Sequence, residues 1–389
     1  MLTPGTESEL AEAVAGAAAA GRPLEIAAGG TRRALGKPVQ AAVTLSVAGL
    51  SGIETYEPGA LTLIVRAGTP LAEVEAALAA EGQRLPFEPV DYRPLLGSEG
   101  APTIGGAVAC AISGPRRIQA GACRDALLGI RFVNGRGEVI RNGGRVMKNV
   151  TGYDLVRLLC GSYGTLGVLS EICFKVQPVP ERELTLVFEG LDDARAVAAL
   201  SAAVGAPFDV TGAAHLPALD GAPARTAIRL GGMAEQAAYR AARLTERLAA
   251  FGEPREVEGA AHDALWGAIG RCEPFAGRAG AVWRLSLRPS DGPAVVQALS
   301  QRREVSALYD WAGGLVWLLT PEEGDAGAAA IRAETAARGG HATLIRASEP
   351  TRAAVDVFEP QPDVLARAAA GLRARFDPQG ILNPGRMGA

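Results

Sequence analysis

Three glycine-rich segments carry the chemistry this chain can offer: Gly29-Gly30-Thr31-Arg32-Arg33, Ile104-Gly105-Gly106, and the run from Gly161 through Gly164 and Gly167 to Val168. Backbone N–H groups in such loops form anion-binding nests, and glycine lets the chain pass within contact of a pyrophosphate. Arg32 or Arg33 would add charge-assisted hydrogen bonds, although either is equally consistent with a solvated surface arginine. Two familiar phosphate sites are excluded. Five residues instead of the four of a P-loop separate Gly30 from Gly36, and Pro38 stands where Ser or Thr should bind magnesium. No G-x-G-x-x-G lies between a strand and a helix, and no acidic residue follows at the Rossmann spacing. A nest-built site for a large phosphate-bearing ligand remains.

The elements that must position these loops are legible in outline. Thr6-x-x-Glu9 reads as a capping box opening an alanine-rich helix that stops at Gly21. Leu24–Ala28 reads as a strand running into the first loop, with further strands at Val43–Val47 and Ala60–Ala67. Thr69 is expected at the N-cap of the next helix, with Pro70 in its first turn. Pro86–Pro94 reads as a loop, and 102–114 as a second glycine-bearing loop. Strands are expected at Ala126–Asn134 and Glu138–Arg141. Met147 to Val168 places a short helix around Leu155, Leu158 and Leu159 before the third loop, a pattern that alone also fits a tight helix-to-strand joint. Val168–Val176 alternates as a half-buried strand, with Ile172, Phe174 and Val176 on one face. Beyond Gln177-Pro178-Val179-Pro180, strands at 184–188, 226–230, 282–287 and 315–319 alternate with amphipathic helices near 192–203, 233–250 and 324–338. That order predicts an α+β unit with an antiparallel sheet flanked by helices. Residues 376–387 hold two proline turns around Ile381-Leu382, too patterned for a frayed tail.

Composition narrows the function classes. The chain has 389 residues, 48% of them hydrophobic and 21% charged, which fits a globular protein of two or three domains. Net charge is −3 with no basic stripe, which argues against nucleic acid as a partner. Cys110, Cys123, Cys160, Cys173 and Cys272 are scattered without a C-x-x-C, as expected of reduced cytoplasmic thiols rather than metal ligands. No secretory signal and no apolar run long enough to span a bilayer is read.

The ordered motifs A-G-G-T-R-R (28–33), L-P-F-E-P-V-D-Y (85–92), P-T-I-G-G (102–106), M-K-N-V-T-G-Y-D-L (147–155), G-S-Y-G-T-L-G-V (161–168) and F-D-P-Q-G-I-L-N-P-G-R (376–386) resemble the vanillyl-alcohol-oxidase class of flavoproteins. Within that class the pattern is most similar to the E subunits of bacterial glycolate oxidases, including Y-D-W-A-G-G-L-V-W-L (309–318) and G-G-H-A-T-L (339–344). The resemblance implies an FAD-binding domain of the PCMH type over 1–178, built of two α/β subdomains. It further implies a cap domain over 179–370 and a segment over 371–389 that returns to the flavin domain. Carried over by residue, it implies that Gly29, Gly30, Thr31 and Arg32 hold the FAD pyrophosphate. Pro89, Asp91, Thr103, Gly105, Gly106 and Ser113 would run along the pyrophosphate and isoalloxazine. The Val168 backbone would lie near the adenine end and Asn383 near the flavin ring, while Gly164 and Gly167 would shape the third loop. Ala28 replaces a glycine common in relatives, and Tyr163 a glutamate common in related lactate dehydrogenases. No histidine follows Gly29-Gly30, so the FAD is expected to be non-covalent.

Oxidising a 2-hydroxy acid on a flavin needs a base for the hydroxyl proton and a cation for the carboxylate. The histidines, His215, His262 and His341, are far apart and in no metal-ligand spacing, so no metal site is expected. His341, entering a strand after two glycines, is the one histidine candidate, and a structural strand-edge histidine is the alternative. Arg346 or Arg386 could grip a carboxylate, and Trp311 and Trp317 could line a pocket or simply pack in the core. In the family the histidine-rich site belongs to a related D-type flavoprotein, and an iron–sulfur F-type subunit passes electrons onward. The resemblance therefore implies a companion FAD subunit of a glycolate-oxidising complex. That complex would be cytoplasmic, with any contact to the inner face of the cell membrane made through partners. A stand-alone FAD oxidoreductase for a hydroxy acid or alditol, and a cofactor-free scaffold, are the alternatives.

Overall fold

A computed structural model describes residues 1–146 and 152–388. Met147 to Thr151, the start of the fourth motif above, lie outside the described residues. The N-terminal helix, Glu7–Ala19, is capped by the Thr6 hydroxyl, which accepts from the Glu9 N–H at 3.2 Å. The Glu9 carboxylate accepts from the Gly5 N–H rather than from Thr6, so the box is half-formed. The helix buries Leu10, Val14 and Ala17, one stripe at helical spacing, against β1 (Leu24–Ala27) and β2 (Val43–Ser46), which pair in parallel.

An antiparallel five-stranded sheet follows, in the order β3-β4-β8-β6-β7. Its strands are β3 (Ile53–Glu57), β4 (Thr62–Arg66), β6 (Leu127–Val133), β7 (Val139–Gly143) and β8 (Val168–Lys175), while β5 (Gln83–Arg84) pairs separately with β9 (Gln177–Pro178). β4 and β8 lie next to each other in the middle, and their alternate residues Leu63, Val65, Ile172 and Phe174 pack with the helix Leu71–Ala80 and with Phe87. Two local expectations are corrected. Thr69 does not cap that helix, whose N-cap is Pro70. Its hydroxyl instead accepts from the Gly52 N–H and donates to the Arg66 carbonyl, closing the β3 entry onto the end of β4. The stretch expected as a second loop contains a helix, Ile104–Ala109, because Ile104, Ala107 and Val108 are buried and outweigh the helix cost of the glycine pair.

Residues 182–346 form an eight-stranded antiparallel sheet in the order β13-β10-β12-β11-β15-β16-β14-β17. Its strands are β10 (Arg182–Glu189), β11 (Gly212–Leu216), β12 (Arg225–Gly232), β13 (Arg255–Glu258), β14 (Ala281–Ser286), β15 (Ser306–Asp310), β16 (Leu315–Thr320) and β17 (His341–Arg346). The helices Asp193–Val204, Ala234–Arg247 and Ala328–Ala336 cover its outer face. Its inner face packs on Leu35, Val90, Tyr92, Leu95 and Ile112 of the first half. The α+β architecture read from the sequence is the one observed.

A buried ion network fastens the two halves. Arg229 on β12, 1% exposed, donates from Nη1 and Nη2 to the two Glu88 oxygens at 2.8 and 3.0 Å, and stacks over Trp266. Arg116 donates its backbone N–H to Glu88 at 2.8 Å and its side chain pairs with Glu183 at 2.9 Å, as does Arg84. Burial alone would raise the Glu88 carboxyl, but Arg229 and Arg116 outweigh it and hold the group at about 2. The carboxylate is paired only in the folded state, where it stays ionised to lower pH than in the unfolded chain. Its contribution is therefore present above the unfolded pKa near 4.3 and is lost as pH falls toward 2. Because the Glu88 side chain is 31% exposed, that contribution is discounted to roughly 2 kcal/mol. Arg229→Ala should cost about 3 kcal/mol in urea unfolding at pH 7, since it strands Glu88. Glu88→Gln should flatten the fall in stability between pH 4.5 and 3, and an unchanged acid slope would remove the network from this role.

Candidate functional site

β1 and β2 run side by side and release the chain at the same end, where Ala28–Arg33 turns away over the start of the helix Ile104–Ala109. The third loop, 161–168, closes the opposite wall. Between them lies a cleft of about 800 Å³, its open mouth included, lined by Gly29, Gly30, Thr31, Arg32, Thr103, Gly105, Gly106, Gly164, Gly167, Val168 and Asn383. Thirteen predicted positions converge there once Arg33 and Arg386 are counted with these eleven. Ala67, Cys110 and Ser162 add to the walls and were not singled out for the site in the sequence, and Tyr163, noted there only as a departure from related dehydrogenases, lies on the third-loop wall. Cys110 had no motif to mark it, since it reaches the cleft only because the 104–109 helix ends there.

The cleft is rich in donors and free of carboxylates. The N–H groups of Gly29, Gly30, Thr31 and Arg32 donate to no oxygen among the described residues. Gly30 sits at φ +75°, which aims successive N–H groups to one side as a nest requires. The two arginines of the first loop differ. Both line the cleft, but Arg33 is committed to Glu25, whereas Arg32 gives Nη2 to the Val90 carbonyl at 3.1 Å and keeps a buried Nε without a partner. Thr103 caps the helix Ile104–Ala109 by accepting from the Gly106 N–H at 3.3 Å. Burial pushes the Cys110 thiol up, so it stays protonated. Free backbone donors, an orphaned guanidinium nitrogen and no opposing carboxylate fit a diphosphate, and the small apolar remainder of the lining fits a flat aromatic group.

Asn383 holds the cleft's walls together. Its Oδ1 accepts from the Ile26 N–H at 2.8 Å, and its Nδ2 donates to the Tyr163 carbonyl at 2.8 Å. Its own N–H donates to the Leu24 carbonyl at 3.0 Å. With both ends of the amide engaged, Asn383 spaces β1 from the third loop. Gly164, at φ +71°, must lack a β-carbon, which would lie 2.8 Å from that amide nitrogen. A β-carbon at Gly167 would lie 2.5 Å from the Phe132 ring, so only glycine fits there. Val168 is buried with Leu24 and Val133 and also borders the cleft.

Four predicted positions fall elsewhere. Pro89 and Asp91 line an adjoining cleft with Glu88, Arg116, Arg229 and His262, because Glu88 at φ +51° turns the chain away from the first cleft. The Asp91 carboxylate is taken by Arg93 at 2.8 Å. Ser113 is buried and accepts from the Cys123 N–H at 3.0 Å, a loop fastening. His341 is on β17, at the sheet edge, paired in register with Ser286 and outside both clefts. The proposed carboxylate grips are also spent. Arg386 donates from Nη1 to the Arg33 and Leu35 carbonyls at 2.7 and 2.9 Å. Arg346 donates to the Leu95, Phe275 and Arg278 carbonyls. Trp317 is core against Tyr92. His215 bonds Thr226 and Asp193, and His262 bonds Thr185. Among the described residues no group of three or more His, Cys, Asp or Glu is placed to hold a metal ion.

The fold and this donor-lined cleft define an FAD-binding flavoprotein: the family model described as an FAD binding domain matches residues 1–143. The chain is 39% identical over 366 residues to glycolate oxidase subunit GlcE of Escherichia coli, covering 94% of this chain and 92% of that one. It belongs to the family of glycolate oxidase GlcE subunits. It is also 32% identical over 159 residues to glycolate oxidase subunit GlcD of Bacillus subtilis, 40% of this chain and 32% of that one. An alkyldihydroxyacetonephosphate synthase structure shares the fold, with a TM-score of 0.71 at 15% identity over 98% of this chain and 76% of that one.

Asn383→Ala should cost roughly 3 kcal/mol, because two buried backbone groups lose their partner and alanine is strained at φ +43°. Urea unfolding measures the loss. Gel filtration should show the variant shedding flavin, and Asn383→Asp, which keeps only the acceptor, should fall between the two.

Proposed function

We propose that this chain is the FAD-binding subunit of a heteromeric complex that oxidises glycolate to glyoxylate, with the main catalytic site on a partner flavoprotein. Near end-to-end similarity to a GlcE subunit carries the reading. The placement of the histidines supports putting the main chemistry elsewhere, since His215 and His262 serve as sheet-to-helix bonds and His341 lies at a sheet edge outside the cleft.

Gly29, Gly30, Thr31 and Arg32 would hold the pyrophosphate, with Thr103, Gly105 and Gly106 on the facing wall and the Val168 backbone beside the adenine end. Asn383 would act by keeping the walls apart. When bound, the flavin supplies a two-electron acceptor; the residues named here bind it, orient it and exclude water. Attachment is non-covalent in this reading, because the cleft's lining includes no histidine and its one thiol, Cys110, is kept neutral by burial. Residues 1–178 with 371–389 would form the flavin unit and 179–370 the cap. Partners would be a D-type flavoprotein and an iron–sulfur subunit, with any membrane association made through them. No helix among the described residues is long and apolar enough to cross a membrane.

The purified chain should be yellow, and acid precipitation should release all of its FAD. Gly30→Trp should abolish flavin retention: nothing but the Arg33 Cδ, at 3.9 Å, lies near its β-carbon position, so the indole would fill the cleft. Full flavin content in that variant would refute the loop assignment. Co-expression with the two partners should reconstitute glycolate oxidation to a quinone-like acceptor, and the Gly30 variant should lower it.

A further inference from the structure

The inner face of the eight-stranded sheet holds an arginine that no carboxylate among the described residues pairs. Val282 on β14 packs in the core that reaches Tyr92, Cys110 and Tyr163, whereas Trp283 and Leu285 pack in the core behind the sheet. Side chains alternate along a strand, so Arg284 stands on the Val282 face, toward the flavin half. It is interior to the sheet, in register with Trp317 on β16 and Thr343 on β17, and half-buried. Its guanidinium has no carboxylate in ion-pair range and no hydrogen-bond acceptor among the described residues.

A second such cation comes from the flavin half. Arg117 lies with its guanidinium 4.4 Å over the Trp311 ring and is likewise without a hydrogen-bond or ion-pair partner among the described residues. The ring is fixed by its Nε1, which donates to the Gly114 carbonyl at 3.1 Å, and by an uncommon backbone, with Trp311 at φ +51° and Ala312 at +59°. Non-glycine residues held there cost free energy, and such strain concentrates at ligand clamps. Burial and then the Arg284 charge lower the Arg117 pKa, so the two cations sense each other. The Arg284 charge is also felt at the phenols of Tyr92 and Tyr163, and Tyr163 lines the flavin cleft. Elsewhere at this junction the arginines are occupied: Arg229 by Glu88, Arg346 and Arg386 by carbonyls.

We propose that Arg284 and Arg117 bind the carboxylate of a small organic acid at the junction of the inner sheet face with the Tyr163 end of the flavin cleft. A guanidinium presents paired donors that match a carboxylate, and stacking on indole holds Arg117 by its face while leaving its edge free to donate. The site takes the reading of the adjoining cleft as the flavin site as its premise. It gives this chain an acid-binding site of its own, and on β17 His341 shares the inner face with Thr343, the neighbour of Arg284, because Ala342 and Leu344 pack behind the sheet.

Calorimetric titration of the purified full-length chain with glycolate, D-lactate and oxalate, against uncharged glycolamide, tests the pair. The carboxylates should bind and glycolamide should not. Arg284→Gln and Arg117→Gln should each weaken carboxylate binding about tenfold or more, with partial recovery in Arg284→Lys. Flavin content should be unchanged, and the melting temperature equal or higher, since a like-charge repulsion is relieved. Equal affinity in wild type and both variants would overturn the site, as would glycolamide binding like glycolate, or no carboxylate binding by flavin-loaded wild type. A large fall in melting temperature in both variants would make the arginines structural and overturn it too. Wild type without flavin would refute the cleft reading instead, and the titration would still decide the arginine pair.

Discussion

The geometry of the cleft depends on one side-chain amide. Asn383 arrives from the C-terminal segment and offers one acceptor and one donor to backbone groups on opposite walls, the Ile26 N–H and the Tyr163 carbonyl. Neither group could be left unpaired without a desolvation cost comparable to a lost hydrogen bond. The amide therefore sets how far the first loop stands from the third. Its own position is fixed in turn. Asp377 accepts from the Ile381 and Leu382 N–H groups, those two side chains are buried with Leu10 and Leu24, and Arg386 clamps the Arg33 and Leu35 carbonyls. A segment distant in sequence thus behaves as a strap around the first loop.

The strap explains how four consecutive N–H groups can stay free of internal partners. An open loop with unsatisfied donors would ordinarily relax into turns or a helix end. Here both flanks are held, by parallel pairing of β1 with β2 before it and by the Arg386 clamp after it. Glu25 takes Arg33, and its carboxyl lies below the usual range because of that bond, which outweighs burial. Arg32 is the cation left facing the cleft. Anion affinity is built by satisfying everything around the loop except the loop itself.

Much of this was legible in the sequence, for identifiable reasons. Alternation found β8, and capping residues found the first helix. The order of strand candidates and amphipathic helices predicted the antiparallel sheet and its outer helices, because these elements obey local rules. The misses share a cause. The helix Ile104–Ala109 hides behind Gly105-Gly106, whose propensity argues for a loop, and only tertiary burial of Ile104, Ala107 and Val108 makes it helical. β11 is short and buried throughout, so it shows no period at all. Pro89 and Asp91 could not be placed because the turn at Glu88 depends on Arg229, more than a hundred residues away. The same limit separates Arg32 from Arg33, adjacent and identical in type: one reaches Glu25 and the other does not.

The histidines show how a flavin fold can persist on different terms at its inner sheet. His215 Nδ1 meets the Thr226 hydroxyl at 2.9 Å and its Nε2 faces Asp193, which also accepts from the Tyr309 hydroxyl at 2.6 Å. That network ties the helix Asp193–Val204 to β11, β12 and β15 on the outer side of the sheet. His262 ties the helix Gly259–Gly270 to β10 through Thr185, which also accepts from the Trp266 indole. Both imidazoles work as hydrogen-bonding wedges, and burial lowers the His262 pKa. With His215 and His262 used as fasteners, anion binding at the inner face falls to guanidinium groups, which stay charged where an imidazole would lose its proton. Permanent cations suit the binding of anions and are poor acceptors of a proton. A sheet face furnished in this way can hold an acid beside a flavin more readily than it can deprotonate one.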